Sequence, residues 1–264
     1  MPVKNGDFIL TNYTLKVKET GETVGTTLES VAKEKKLYRG EEHYEPFFII
    51  VGEGWVPKGL DEALTNLEIG VATTIELPPD KGYGVRDPKK VRLVPLRKFA
   101  AEGVTPVPGL QVNIDGKTAQ VRSVGAGRVQ VDYNHPFAGK TLIYDITLEK
   151  VIEAEDEKVS NLVHKRISTV DQQKFTIKIE NDNLQVEVPE EAFFLEGLQV
   201  SKRTLTADVE KYLPKIATVT FLETFKKPPA AAPAAPPPQA APVQPATAPA
   251  TTATPTTAST SSTP

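Results

Sequence analysis

Asp132-Tyr133-Asn134-His135-Pro136-Phe137-Ala138-Gly139-Lys140 is the stretch on which the reading of this chain turns. A rigid Pro136 and a Gly139 bracket a short loop. The loop delivers the chain into Leu142, Tyr144, Ile146 and Leu148, which fall on one face of a strand by period-two patterning. Two upstream blocks complete the pattern. Gly52-Glu53-Gly54-Trp55-Val56-Pro57-Lys58-Gly59-Leu60-Asp61-Glu62-Ala63-Leu64 reads as a glycine-rich turn feeding a short helix. Lys81-Gly82-Tyr83-Gly84 follows a strand over residues 71–77 that Pro78 and Pro79 stop.

Working outward, Phe8, Leu10, Leu15 and Val17 predict a first strand, with Tyr13 inside it. A helix is expected over about residues 27–37, where Thr26 and Glu29 have the spacing of a capping box and Lys33, Lys35 and Lys36 make a solvated face. Phe47 to Val51 is an apolar run suited to a buried strand. Many strands and one short helix imply an antiparallel sheet wrapped over that helix, an α+β half-barrel. Between about residues 90 and 133 the texture changes to valine-rich strands punctuated by Pro95, Pro106, Pro108 and glycines. Here Val112 to Ile114 and Ala119 to Val121 flank a tight turn at Asp115-Gly116. From Glu155 a third unit begins. Val159, Leu162, Val163 and Ile167 have helical spacing, strands are expected at 175–179, 184–188 and 216–221, and a helix at 199–213. Residues 228–264 contain only Ala, Pro, Thr, Ser, Gln and Val. Such a segment buries too little apolar surface to offset its ordering entropy and is expected to be disordered.

Bulk properties narrow the classes of function. With 31 basic and 34 acidic residues the net charge is −3, which argues against a dominant electrostatic grip on nucleic acid. The chain has no run of about 18 apolar residues, so no membrane partner is expected. The N-terminus has no apolar core of a signal peptide, and the expected location is the cytoplasm. The absence of cysteine removes disulfides, thiolate nucleophiles and cysteine-based zinc sites. His43, His135 and His164 share no metal-ligand or triad spacing, and His135 is read as shaping the Asn-His-Pro turn. Gly52-x-Gly54 lacks the third glycine of a dinucleotide loop. Neither a metal nor a cofactor is expected.

The three blocks together resemble the FKBP-type peptidyl-prolyl isomerases, and in particular the long archaeal members of the SlyD-like branch. That resemblance implies a discontinuous isomerase domain over residues 1–89 and 134–154. An insert-in-flap chaperone domain would occupy 90–133 and a C-terminal α+β domain, with dimerisation as its role, 155–227. By motif matching it carries a catalytic bowl onto Tyr13, Phe47, Val56, Leu60, Tyr83 and Tyr144, with Leu60 as the floor and Tyr83 donating its hydroxyl to a substrate carbonyl. Val24, Phe137 and Ala138 would bind substrate, Phe137 and Ala138 standing at the junction with the insert. Val91, Leu93, Leu96 and Phe99 would form the capture surface of the insert, or else simply its core. Partners would be unfolded or nascent polypeptides with X–Pro bonds and a second copy of the chain.

Two positions depart from the family pattern. Gly25 stands where the family usually has an Asp, and Pro57, which has no N–H, stands where a backbone amide is usually offered to the substrate. Trp55 is a candidate to take over part of the bowl wall. The departures leave a second reading open, a holdase chaperone that keeps the fold with little or no catalysis.

Overall fold

The computed structural model describes residues 3–40 and 43–225; the tail read from composition as disordered lies outside the described residues. The fold is α+β, built on three sheets. The first is antiparallel and five-stranded: β1 (Phe8–Val17), β2 (Thr23–Thr26), β3 (Phe47–Ile50), β4 (Ala72–Leu77) and β9 (Leu142–Ile152). β1 pairs along its whole length with β9, and its other edge is divided, Phe8 to Thr11 pairing with β3 and Thr14 to Lys16 with β2. Tyr13 therefore sits where the sheet splits.

Alternation along β1 explains why its two faces are apolar. Ile9, Leu15 and Val17 face the short helix α2 (Lys58–Leu64), which buries Leu60 and Leu64 beneath the sheet. Phe8 faces the other way. With Phe48, Ile50 and Ile152 it joins the core of the C-terminal region, where helices α4 (Glu155–Arg166) and α5 (Leu198–Tyr212) supply Val159, Leu162, Leu205 and Val209. Phe47 to Val51 lacks strand-like alternation because two different cores receive its two faces. The region from 155 onward thus completes its core with residues of the first sheet. Its own sheet holds β10 (Thr176–Glu180) antiparallel and β12 (Thr218–Glu223) parallel to the central β11 (Asn183–Val188). Trp55 belongs to this seam and not to the bowl wall: its ring lies edge-on to Phe48 at 5.5 Å and to Tyr212 at 6.3 Å.

The expected helix after β2 is shorter than its sequence signal. α1 covers Glu29–Glu34, and Thr26 and Thr27 do not cap it. Thr26 Oγ1 donates to the Tyr13 carbonyl and accepts from Leu28 N, while Thr27 Oγ1 accepts from Tyr13 N. These hydroxyls fasten β1 where neither β2 nor β3 pairs with it.

The third sheet is the four-stranded insert, ordered β5 (Val91–Pro95), β8 (Arg128–Asp132), β7 (Lys117–Gly125), β6 (Gln111–Ile114). Asp115 and Gly116, both at positive φ, turn β6 into β7. A helix, α3 (Leu96–Ala101), follows β5 where the sequence suggested only strand and loop. It buries Phe99, 1% exposed, among Val112, Ile114, Val121, Val129 and Val131. Phe99 is therefore core and not capture surface, because the helix turns its ring onto the sheet. Where the insert meets the first sheet, the Asn134 amide accepts from Asp87 N and donates to the Asp87 carbonyl and to the buried Asp132 carboxylate. Arg86 and Arg122 pair with the same carboxylate. The two chain crossings are tied to each other.

Since the back of the first sheet is apolar, a chain ending at residue 154 is expected to expose Phe8, Phe48 and Ile50, binding hydrophobic dyes and aggregating on mild heating. In the full chain, Phe8→Ala is expected to cost about 3–5 kcal/mol, read as a lowered midpoint of urea unfolding.

Candidate active site

On the α2 side of the sheet the chain builds an apolar bowl. Tyr13 and Tyr144 stand on adjacent strands with ring centroids 6.0 Å apart, and Phe47 meets Tyr13 edge-on at 5.9 Å. Leu60, 3% exposed, closes the bottom against Leu15, Val17, Leu77 and Leu142. Val24, Val56, Ile75, Tyr83 and Phe137, all partly buried, form the rest of the wall.

Two local devices set the entrance of α2. Asp61, buried, accepts hydrogen bonds from Gly52 N at 2.8 Å and Gly54 N at 3.0 Å, and both glycines adopt positive φ. The carboxylate thereby fixes the turn that delivers Val56 to the bowl. Gly59 donates to the Lys81 carbonyl, and a Cβ there would stand 2.6 Å from Leu77 Cδ1 and 2.7 Å from Lys81 Cβ. Only glycine lets the first turn of the helix approach the loop carrying Tyr83 this closely.

Tyr83 is held from its other side. Its ring stacks on His135 at 4.0 Å, with 2° between the planes, and Phe137 leans on both rings at 5.6 Å. Gly139 N donates to the Gly84 carbonyl, zipping the two loops together, and His135 Nδ1 accepts from Phe137 N. Desolvation pushes the His135 pKa below the usual imidazole value of 6.5, so the neutral ring is favoured. The Tyr144 pKa is pushed far upward, first by burial and then by the neighbouring phenols of Tyr83 and Tyr13. It keeps its proton at any physiological pH. The bowl offers hydroxyl dipoles on an apolar lining.

Among the nine residues carried onto the bowl and its rim, eight meet there. Seven share one apolar cluster and Phe47 adjoins through Tyr13. Ala138 is buried apart, in the turn that aims Phe137. In the insert, Leu93 and Leu96 are exposed and Val91 partly so. Sequence reasoning missed Asp61, Gly59, Ile75 and the stacking role of His135. Asp61 carried a usable signal, a carboxylate at the start of a helix shortly after two glycines. Among the described residues no three His, Cys, Asp or Glu side chains gather to hold a metal ion.

Comparison with known proteins agrees with this geometry. Residues 92–137 match the family described as FKBP26, IF domain, and residues 155–226 the family described as FKBP26_C-terminal. The chain is 37% identical over 155 residues to a short-type peptidyl-prolyl cis-trans isomerase of Methanocaldococcus jannaschii, covering 59% of this chain and 98% of that protein. It belongs to the FKBP-type peptidyl-prolyl cis-trans isomerase family. An FKBP-type 16 kDa isomerase of Escherichia coli is 28% identical over 56% of this chain and 93% of its own. The isomerase SlyD of Helicobacter pylori is 32% identical over 44% of this chain and 64% of its own.

Against the FKBP pattern, both departures have a clear physical setting. Gly25 lies opposite Leu15 in the ladder, and a Cβ built on it meets only Leu15 Cβ, at 4.0 Å. A carboxylate would fit there, on the face that carries Tyr13. Pro57 caps the start of α2, its carbonyl accepting from Leu60 N and Asp61 N. It begins the helix well and offers no amide.

Gly59→Ala is expected to force the loop at 78–84 off the helix, lowering stability and at least halving any turnover, checked by thermal melts and kinetics. For His135 the unfolded chain takes up a proton first, so its contribution is complete above pH 6.5 and is lost as pH falls through the depressed folded value. NMR titration should show the His135 ring protonating below the usual value, with the Tyr83 ring resonances shifting in step. His135→Asn should abolish that coupled shift.

Proposed function

We propose that this FKBP-type isomerase rotates X–Pro bonds of unfolded or nascent polypeptides in the bowl between Tyr13 and Tyr144, and that the insert holds the client while it does so. The convergence of side chains from six separate parts of the sequence on one apolar cluster carries the reading. Rotation must overcome an amide-resonance barrier of about 18–20 kcal/mol. The twisted amide has lost its resonance dipole and is more at home in a water-poor lining than the planar one, so binding the twisted form preferentially is sufficient. Proton transfer is unnecessary, which suits a site whose Tyr144 holds its proton. The Tyr83 hydroxyl, its ring clamped by His135 and Phe137, donates to a substrate carbonyl.

Exposed Leu93 and Leu96, beside partly buried Val91, support a capture surface on the insert. Capture near the bowl raises the effective concentration of X–Pro bonds and offsets modest chemistry. The division into an isomerase domain of 1–89 with 134–154, an insert of 90–133 and a C-terminal domain of 155–227 belongs to the same proposal. So does a homodimer through the C-terminal domain, where Phe194 and Val200 are exposed. The cytoplasm is its proposed place of work.

The open space at Gly25 and the missing amide at Pro57 favour a second reading, a weakly catalytic holdase. A protease-free isomerisation assay, on a short peptide and on a protein whose refolding waits on proline, separates the two. The enzyme reading expects acceleration of both, reduced about two- to tenfold by Tyr83→Phe, the loss of one hydrogen bond. A holdase suppresses aggregation without faster isomerisation, and in that case Gly25→Asp is expected to restore a rate.

A further inference from the structure

A groove of about 700 Å³ opens beside the bowl, between the strand edge at Tyr13 and Phe47 and the end of α4 at Asn161, His164 and Lys165. Tyr13 and Phe47 line both spaces, so a chain lying across the bowl can run on into the groove. Lys165 is exposed to it. Its ammonium lies 4.2 Å from the centre of the Phe47 ring and 5.6 Å from that of Trp55. Its neighbours on α4 already have partners: His164 Nε2 lies in hydrogen-bond contact with Glu45 Oε1 at 2.5 Å and Arg166 pairs with Asp208 at 2.6 Å, whereas no carboxylate among the described residues pairs with Lys165. His43 and Tyr44 complete the facing wall. The Lys165 ammonium is partly desolvated, and this, with Arg166 alongside, lowers its pKa below the ordinary lysine value. An aromatic seat holds the cation in place without neutralising it.

We infer that the groove is a subsite for the client chain flanking the X–Pro bond, and that Lys165 selects clients carrying a carboxylate within about three residues of the proline. The limit follows from the rings. Lys165 to Phe47 is 4.2 Å and Phe47 to Tyr13 is 5.9 Å, so the ammonium stands no farther from the Tyr13 ring than about three residues of extended chain at about 3.3 Å each. The inference rests on the isomerase reading for the identity of the occupant. It gives the C-terminal region a direct part in substrate choice, since α4 brings the cation to a bowl built by the first sheet, α2 and the loops between them.

The test uses the full chain and capped, tryptophan-free peptides with one proline, carrying Glu or its isostere Gln at each of the three positions before and the three positions after it, one at a time. Two readouts are taken at pH 8, above the ordinary titration range of imidazole: isomerisation, and the fluorescence of Trp55, which is the only tryptophan. At one or more of these positions the wild type is expected to prefer Glu about fivefold or more, with the preference shrinking in high salt. It should fall to about one in Lys165→Met, survive in Lys165→Arg and reverse in Lys165→Glu. Equal affinity for Glu and Gln peptides at every position, or a preference that outlives Lys165→Met, overturns the inference. A neutral peptide that is turned over without any Glu preference leaves the isomerase reading standing and removes the subsite. A Glu preference in Trp55 fluorescence with no turnover of any peptide does the reverse.

Discussion

The architecture outside the insert depends on β1. Each of the three apolar clusters there takes residues from this strand, Phe8 in one, Ile9 in another, Leu15 and Val17 in the third. Its full-length pairing with β9 fixes which residues face which way, and the division of its other edge between β3 and β2 leaves a break at Tyr13. A slip of one residue would exchange the faces and bring Phe8 and Leu10 to the side of the bowl. The threonine hydroxyls at 26 and 27, by holding the Tyr13 backbone across the break, secure that register at its weakest point.

Much of this was legible in the sequence because the signals are local. The alternation of Leu142, Tyr144, Ile146 and Leu148 states the β9 strand and its buried face, and Asp115-Gly116 states the turn between β6 and β7. The eight bowl residues that converge were reached through the resemblance to the FKBP-type family, by matching its motifs to this chain. What escaped depends on contacts between distant segments. Thr26 and Glu29 have the spacing of a cap, yet tertiary bonds to β1 claim the threonine. Trp55 sits next to Val56 in sequence but follows a left-handed glycine, which sends it to the seam with Tyr212. For Phe99 the sequence leaves capture surface and core both open, because nothing local announces that α3 folds its ring back over the insert sheet. His135 stacks on a tyrosine some fifty residues earlier in the chain, a pairing that only the zipped loops create.

The electrostatic character of the site is as telling as its shape. Charged groups are kept to its margins, with Asp61 spent on backbone amides and Asp132 on two arginines. Tyrosine hydroxyls remain as its directional element, and burial keeps Tyr144 protonated. A lining of this kind sorts what enters by polarity and shape, so any discrimination by charge has to come from groups outside the bowl.

The tie between Asp87 and Asn134 has a bearing on modular evolution. Because the outgoing and returning strands of the insert leave the first sheet side by side, bridged by one side-chain amide, the ends of the insertion are nearly coincident in space. A segment with such ends behaves as a cassette: a short turn could close the same gap, and a larger domain could enter it, without any change of register in the sheet beneath. Lineages carrying this scaffold can therefore gain, lose or exchange an inserted module at one point in the gene while the bowl keeps its geometry.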